Sequence, residues 1–212
     1  MPRIPQQQRA IATVDAIVEA GFLSVARHGT AGTTTKHIAD IAGISVGSLY
    51  EYFRNKEAIY TAMQERFMAD LVRRLQPKAA EISRQDPMQA VRTILLEVQD
   101  LLMQDDERYL RYARSAISVD VKVDTAPITR FLGGLIVQYI LQHPELARLP
   151  RFATMSYIFM HAGIYTVIRH MSDPSPPVSY EELVDGLACM VNHYLVVEQQ
   201  RLQDDAPTGS RA

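Results

Sequence analysis

Between Ile59 and Leu75 an apolar side chain recurs at every fourth residue: Ile59, Met63, Phe67, Leu71 and Leu75. That spacing lays a single apolar stripe along a helix, so a long helix with one buried face is predicted from Lys56 to about Leu75. The rhythm returns at Val91, Leu95, Val98 and Leu102. It does so after Asp86-Pro87, a capping residue followed by a proline suited to the first helical position. Asp105-Asp106-Glu107 precedes a further stretch, YLRYARSAIS, where carboxylates suit the positive end of a helix dipole. Another helix follows Asp124, with Phe131, Leu135, Ile136 and Tyr139 on its buried side, and His143-Pro144 closes it. The segment RFATMSYIFMHAGIYTVIRHM is apolar almost all round, which implies burial from both sides. Beyond the turn SDPSPPVS, the stretch YEELVDGLACMVNHYLVVEQQ sets Leu183, Leu187, Val191 and Leu195 at helical spacing. A loop that short makes the last two helices antiparallel neighbours. Strand-like alternation is absent, so the expected fold is all-α with about nine helices.

Toward the N-terminus the pattern changes scale. Residues 34–56, TTKHIADIAGISVGSLYEYFRNK, read as a short helix, a turn and a second short helix. Thr34 is placed to cap the first helix, whose apolar side is Ile38, Ala39, Ile41 and Ala42. Gly43 suits the left-handed position that ends it, and Ser45 suits the cap of the second. On that second helix Leu49 and Phe53 face inward, which leaves Val46, Gly47, Ser48, Tyr50 and Tyr52 outward or on the flanks. A helix enters the major groove of DNA only if its leading turn is slim. Gly47 and Ser48 permit that approach, and tyrosine hydroxyls reach phosphate oxygens. The whole is a helix-turn-helix.

This stretch resembles the N-terminal DNA-binding domain of the TetR family of bacterial transcriptional regulators. Upstream, IVEAGFLSVARHG (17–29) is similar to that family's first-helix pattern of apolar pairs ending in glycine. Gly21 and Val25 stand where alanine and a larger apolar or aromatic residue are usual. Downstream, Asn55-Lys56-Glu57 leads into an amphipathic helix, as in the family. The resemblance is specific from about Arg9 to Tyr60 and architectural beyond. It implies phosphate contacts from Thr35, Lys36, Tyr50, Tyr52 and Lys56, and base-edge contacts from Val46, Ser48 and Lys36. It also implies a domain at residues 1–55 that reads DNA, an effector-binding and dimerisation domain at 56–203, and a flexible tail at 204–212. The alternative for Tyr50 and Tyr52 is that they wall a small three-helix core.

Composition narrows the partners. The chain has 212 residues, 47% of them hydrophobic and 22% charged, with a net charge of -2. A protein that coats nucleic acid without regard to sequence would be more basic. Residues 1–57 carry a net charge of +1 and the remainder -3, so DNA affinity has to come from local placement of Lys36, Arg54, Lys56 and an Arg9 arm. The single cysteine, Cys189, excludes an intramolecular disulfide and suits a reducing cytosol. MPRIPQQQRA lacks the apolar core of a secretory signal, so a cytoplasmic location is expected. The longest uncharged run, Phe152 to Ile168, is too short and too interrupted for a membrane span.

No catalytic constellation emerges, and neither an enzyme nor a cofactor is expected. Cys189 and His193 lie four apart, yet two ligands do not make a metal site. Tyr157, His161, Tyr165 and Arg169, also four apart, form a polar-aromatic stripe that suits either a ligand cavity or the face toward a partner. Tyr109, Tyr112, Phe131 and Met160 are further pocket candidates, since aromatic and methionine side chains suit an apolar or aromatic effector. Ala162 and Gly163 make the penultimate helix slim enough for a close crossing, to which Leu187 and Val191 add facing ridges. A homodimer on a palindromic operator, released by a small molecule, is the reading these features favour. Its rivals are a DNA-binding protein of the same fold without an effector and a helical enzyme with a degenerate reader.

Overall fold

The computed structural model describes residues 6–117 and 124–204. Among them lie ten α-helices and no strand: α1 (Gln6–Gly32), α2 (Thr35–Ala42), α3 (Val46–Tyr52), α4 (Lys56–Leu75), α5 (Ala79–Ile82), α6 (Pro87–Met103), α7 (Arg108–Ile117), α8 (Ala126–Gln142), α9 (Phe152–Ser172) and α10 (Tyr180–Asp204). Nine of these exceed one turn, α5 being a single turn. The fold is all-α, as the periodicity implies. Two 3-10 turns, Gln76–Lys78 and Pro144–Arg148, follow α4 and α8, each with proline in its first turn, where the missing N–H is not needed. Residues 205–212 of the expected tail lie outside the described residues; Asp204 is the last residue of α10.

The described residues divide into two compact units. One holds 6–71, 101–117, 124–125 and 171–174; the other holds 72–100, 126–170 and 175–204. In the first unit α1 supplies the core with Ile17, Val18, Phe22 and Val25, which meets Ile59 and Met63 of α4 and Tyr109 and Tyr112 of α7. Gly21 explains its own departure from the family pattern. A Cβ there would stand 2.7 Å from Met63 Sδ, so alanine fits only if the Met63 side chain on α4 shifts. α7 joins this unit by running in the same direction as α1. Arg108 pairs with Glu19 at 2.6 Å, Phe22 meets Tyr109 and Tyr112 edge-on, and Ser115 bonds Thr30.

Local expectations are corrected at three points. Arg9 is not in an extended arm but within α1, because QQQRA is built of good helix formers. Asp105, Asp106 and Glu107 all adopt positive φ (48°, 56° and 59°) and so form a left-handed turn ahead of α7 rather than its first turn. On α10 the buried face within the unit runs through Tyr180, Val184, Ala188 and Leu195, so that of the expected line Leu195 is buried while Leu183, Leu187 and Val191 are half-buried.

In the second unit Ile82, Ala90 and Leu135 form one apolar cluster with Phe131 and Tyr139 against it, and Leu146, Leu149 and Leu195 form another. Phe159 meets Tyr194 and His170 meets Tyr180, so α9 and α10 run antiparallel. The start of α10 is closed by a capping box: Ser179 Oγ accepts from the Glu182 amide (3.2 Å) while the Glu182 carboxylate accepts from the Ser179 amide (2.7 Å). No helix among the described residues is long and apolar enough to cross a membrane.

Candidate nucleic-acid interface

The helix-turn-helix is assembled by short polar residues at its joints. Thr34, in extended conformation, accepts from the His37 amide at 3.1 Å and opens α2. Gly43 closes that helix at φ 70°, ψ 30°, its N–H directed to the Ala39 and Asp40 carbonyls. Ser45 opens α3 by accepting from the Ser48 amide at 3.0 Å, and Phe53 ends it in extended conformation with its N–H on Leu49 O. Asn55 Oδ1 then accepts from the Ala58 amide at 2.8 Å and starts α4. With each end satisfied, the inner faces close: Ile38, Ala39 and Leu49 have no exposed surface, and Phe53 is buried.

The opposite side holds what the sequence put there. Gly47 and Lys36 are exposed, Tyr50 and Tyr52 are 51% and 38% exposed, and Val46 and Ser48 are half-buried. The two tyrosines therefore do not wall the core. The Tyr50 hydroxyl lies 3.3 Å from Thr35 Oγ1, joining the start of α2 to the outer face of α3. Ser48 Oγ lies 2.9 Å from Ser45 Oγ, within hydrogen-bond distance on the leading turn.

Lys56 has a second occupation that sequence reasoning missed. Its ammonium donates to the carbonyls of Thr33 (3.1 Å) and Thr30 (3.4 Å), and it lies over the Tyr60 ring. Tyr60 also donates to Thr30 O, at 2.7 Å, and burial pushes its phenol above the ordinary value. An ammonium has three donors, so one remains for a phosphate oxygen. Residues 29–33, which carry these carbonyls, follow the kink of α1 at Gly29 and hold two buried hydroxyls that no sequence motif signals, those of Thr30 and Thr33.

The effector candidates are distributed among several packings. Tyr109 and Tyr112 are buried in the first unit, each edge-on to Phe22. Tyr109 also donates to the Asp70 carboxylate, and burial with that carboxylate raises its phenol. Burial pushes Tyr112 up to about 12. Phe131 packs on the Ile82/Ala90/Leu135 cluster of the second unit. On α9, Met160 is half-buried, whereas Tyr157 (62%) and Tyr165 (70%) are exposed and Arg169 is exposed. The Tyr157 and His161 rings lie 4.1 Å apart, and His161 Nδ1 is 2.8 Å from Tyr157 O. A carbonyl only accepts, so that nitrogen carries the hydrogen. Ala162, Gly163, Leu187 and Val191 are half-buried; a Cβ on Gly163 would meet nothing within 4 Å, and Val191 packs on the Leu146/Leu149/Leu195 cluster. A cleft of about 350 Å³ in the second unit is lined instead by Pro150, Arg151, Met155, Tyr194, Glu198 and Leu202 beside Arg201.

Comparison with known proteins rests on the N-terminal residues. The family model described as bacterial regulatory proteins, tetR family, matches residues 13–63, which span most of α1, both helices of the motif and the start of α4. No curated protein matches the chain in sequence. Solved structures share the fold over nearly its whole length. One, assigned to the TetR-family transcriptional regulators of Mesorhizobium loti MAFF303099, superposes with a TM-score of 0.61 at 17% identity, covering 89% of this chain and 98% of the other. A transcriptional regulator assignment from Pseudomonas aeruginosa PAO1 gives 0.61 at 16% identity, with 94% and 96% covered. The fatty acid degradation regulator FadR from Bacillus halodurans gives 0.56 at 14% identity, with 91% and 97% covered. Residues 13–63 are thus similar to the tetR family of bacterial regulatory proteins, and the helical fold is shared with these solved structures along most of the chain.

Proposed function

We propose that the chain acts as a homodimeric repressor that binds a palindromic operator and is released from it by a small apolar or aromatic effector. In this reading residues 1–55 read DNA and 56–203 bind effector and partner. One observation carries it: a helix pair closed by Thr34, Gly43 and Ser45 that turns Lys36, Gly47, Tyr50 and Tyr52 to solvent. Tyr50, Tyr52, Thr35, Lys36 and Lys56 hold phosphates, and Val46 and Ser48 meet base edges. Lys56→Ala is expected to weaken all DNA sites alike and to lower the salt slope of binding by about one per protomer. Dimerisation is supported by α9 and α10, which leave Tyr157, Ile158, Tyr165, Met190 and Val196 more than a third exposed. The test is selection of bound sequences from random duplexes by the full-length protein. A palindrome with half-site centres about 34 Å apart is expected; a pool with no enriched sequence overturns the reading.

The effector is supported by kinship of fold with a regulator of fatty acid degradation and by the helical second unit. Its binding would shift α4 and change the separation of the two readers, which weakens simultaneous engagement of both half-sites. A second reading, the same reader with no small-molecule effector, is favoured by the packing of Tyr109 and Tyr112 onto Phe22, which occupies two pocket candidates. Release of the selected operator by members of a panel of apolar and aromatic acids upholds the first reading. Indifference to the whole panel upholds the second.

A further inference from the structure

Thr30 is 3% exposed and every polar group it owns is engaged. Its N–H donates to Ser115 Oγ at 2.6 Å, its hydroxyl donates to the Ser115 carbonyl at 2.9 Å, and the Ser115 hydroxyl approaches Thr30 Oγ1 at 3.1 Å. Its carbonyl accepts from Tyr60 and Lys56 of α4. Ser115 stands in the last turns of α7, 85 residues along the chain from Thr30, so no local pattern demands this contact.

What Thr30 leads into makes the clamp consequential. Thr33, 1% exposed, donates its hydroxyl to Gly29 O at 2.8 Å and accepts from Ser24 Oγ at 3.2 Å, which ties the turn after the Gly29 kink back onto α1. Thr34, the next residue, is the cap of α2. Only Ala31, Gly32 and Thr33 separate the α7 clamp from the Thr34 cap, and Thr33 is held to Gly29 O through both its N–H (3.1 Å) and its hydroxyl. Such a chain transmits movement because buried polar groups lose their partners if it yields.

We propose that Ser115 is a positioning residue for operator reading: through Thr30 the C-terminal turn of α7 sets the placement of α2 and, across the Gly43 turn, of α3. The inference rests on the DNA-reading role proposed above and gives α7 a hold on the reader separate from that of α4. A shift of α7 moves the reader without touching any DNA-contacting side chain.

The test uses the full-length protein, its selected operator and a random duplex of equal length. Ser115→Ala and Thr30→Val remove the bonding and keep most of the shape; Thr30→Ser keeps the hydroxyl. A reader out of place loses the operator, which demands the register of two half-sites, more than random DNA, which demands only charge. The expected result is a roughly tenfold fall in the operator-to-random affinity ratio for Ser115→Ala and for Thr30→Val, no further fall in the double variant, and retention in Thr30→Ser. An unchanged ratio in both single variants overturns the proposal. So does a parallel loss of operator and random binding with loss of fold, which makes Ser115 purely structural. A wild type that enriches no operator sinks the underlying DNA reading, an outcome distinct from either.

Discussion

Two helix pairs of this chain are finished to different degrees. In α2–α3 both helix starts and the intervening turn are closed by Thr34, Gly43 and Ser45, the apolar residues Ile38, Ala39 and Leu49 are fully covered, and what remains outside can hydrogen-bond. In α9–α10 the apolar residues Met171, Val184, Ala188 and Leu195 are covered, yet Tyr157, Ile158, Tyr165, Met190 and Val196 are not. The first pair needs no further protein to satisfy it, and its free groups suit a polyanion. The second presents what a soluble surface seldom keeps, which suits a second copy of itself.

The largest way to break this contrast is to charge the second pair. Leu187→Glu and Ala162→Glu are expected to abolish the dimer and with it tight operator binding, by two orders of magnitude or more, roughly the gain that linking two readers provides. Tyr165→Glu sharpens the point, because a side chain 70% exposed in the protomer can be replaced without disturbing its fold. Sedimentation at micromolar concentration should show a 23.9 kDa species for the variants and twice that for the wild type. A wild-type monomer removes the contrast altogether.

Next in size come two glycines of the reader's unit that differ in backbone. Gly43, at φ 70° and ψ 30°, occupies the left-handed region, where alanine costs about 1 kcal/mol. Gly29, at φ 68° and ψ 171°, lies where only glycine is at ease, so alanine there should cost about 2 to 3 kcal/mol. A Cβ on Gly29 would meet only Ser115 Oγ, at 3.5 Å, so crowding is not the cause. Denaturant midpoints of Gly29→Ala and Gly43→Ala test the order; equal losses would mean that the α1 kink relaxes.

These glycines also mark what was legible in advance. Gly43, Thr34 and Ser45 act on partners three or four residues away, and a relation that local is written in sequence order. The Ser179/Glu182 capping box is equally local. Ser115 on Thr30 and Tyr109 on Asp70 join residues 85 and 39 apart, and nothing in either neighbourhood demands the other. The buried line of α10 shows a subtler limit. Periodicity establishes that the helix has an apolar side, but Val184 and Leu183 are both apolar, and only the neighbours choose between them. For the same reason the pocket candidates, picked for side-chain type along distant stretches, fell into separate packings, whereas the reader's residues come from one short stretch of the chain that forms α2, α3 and the start of α4.

In the second unit stability has an acid-sensitive element at Glu97. Glu97 is largely buried and accepts from Arg74 Nε at 2.8 Å and from Lys78. Burial alone would raise its carboxyl, but the two cations hold it below the usual range. A depressed folded-state value means that the stabilisation is complete above the unfolded value of about 4.3 and is lost as pH falls through the folded one. Glu97→Gln should therefore destabilise by about 1 to 2 kcal/mol at neutral pH, and the difference from wild type should shrink as pH drops below about 4. Urea melts at pH 7 and pH 3 measure this, and a gap that stays constant would assign the loss to packing.

The finest discrimination lies within the leading turn of α3, between two serines whose hydroxyls are 2.9 Å apart. Ser45 accepts the Ser48 amide and so holds the helix; Ser48 donates that amide from its backbone and points its hydroxyl from the outer face. Ser45→Ala removes the cap, which should cost about 1 kcal/mol of stability and leave the ranking of operator variants unchanged. Ser48→Ala keeps the cap, since the backbone amide is still present, and should alter stability by no more than a few tenths of a kcal/mol. Its effect belongs in the ranking, where a misread base pair is worth about 1 to 3 kcal/mol at one position of each half-site. Thermal melts alongside binding to a panel of single-substitution operators separate the two. If Ser45→Ala reorders the panel while Ser48→Ala does not, the base-reading hydroxyl is the capping one and the face of α3 that meets DNA lies one turn earlier than proposed.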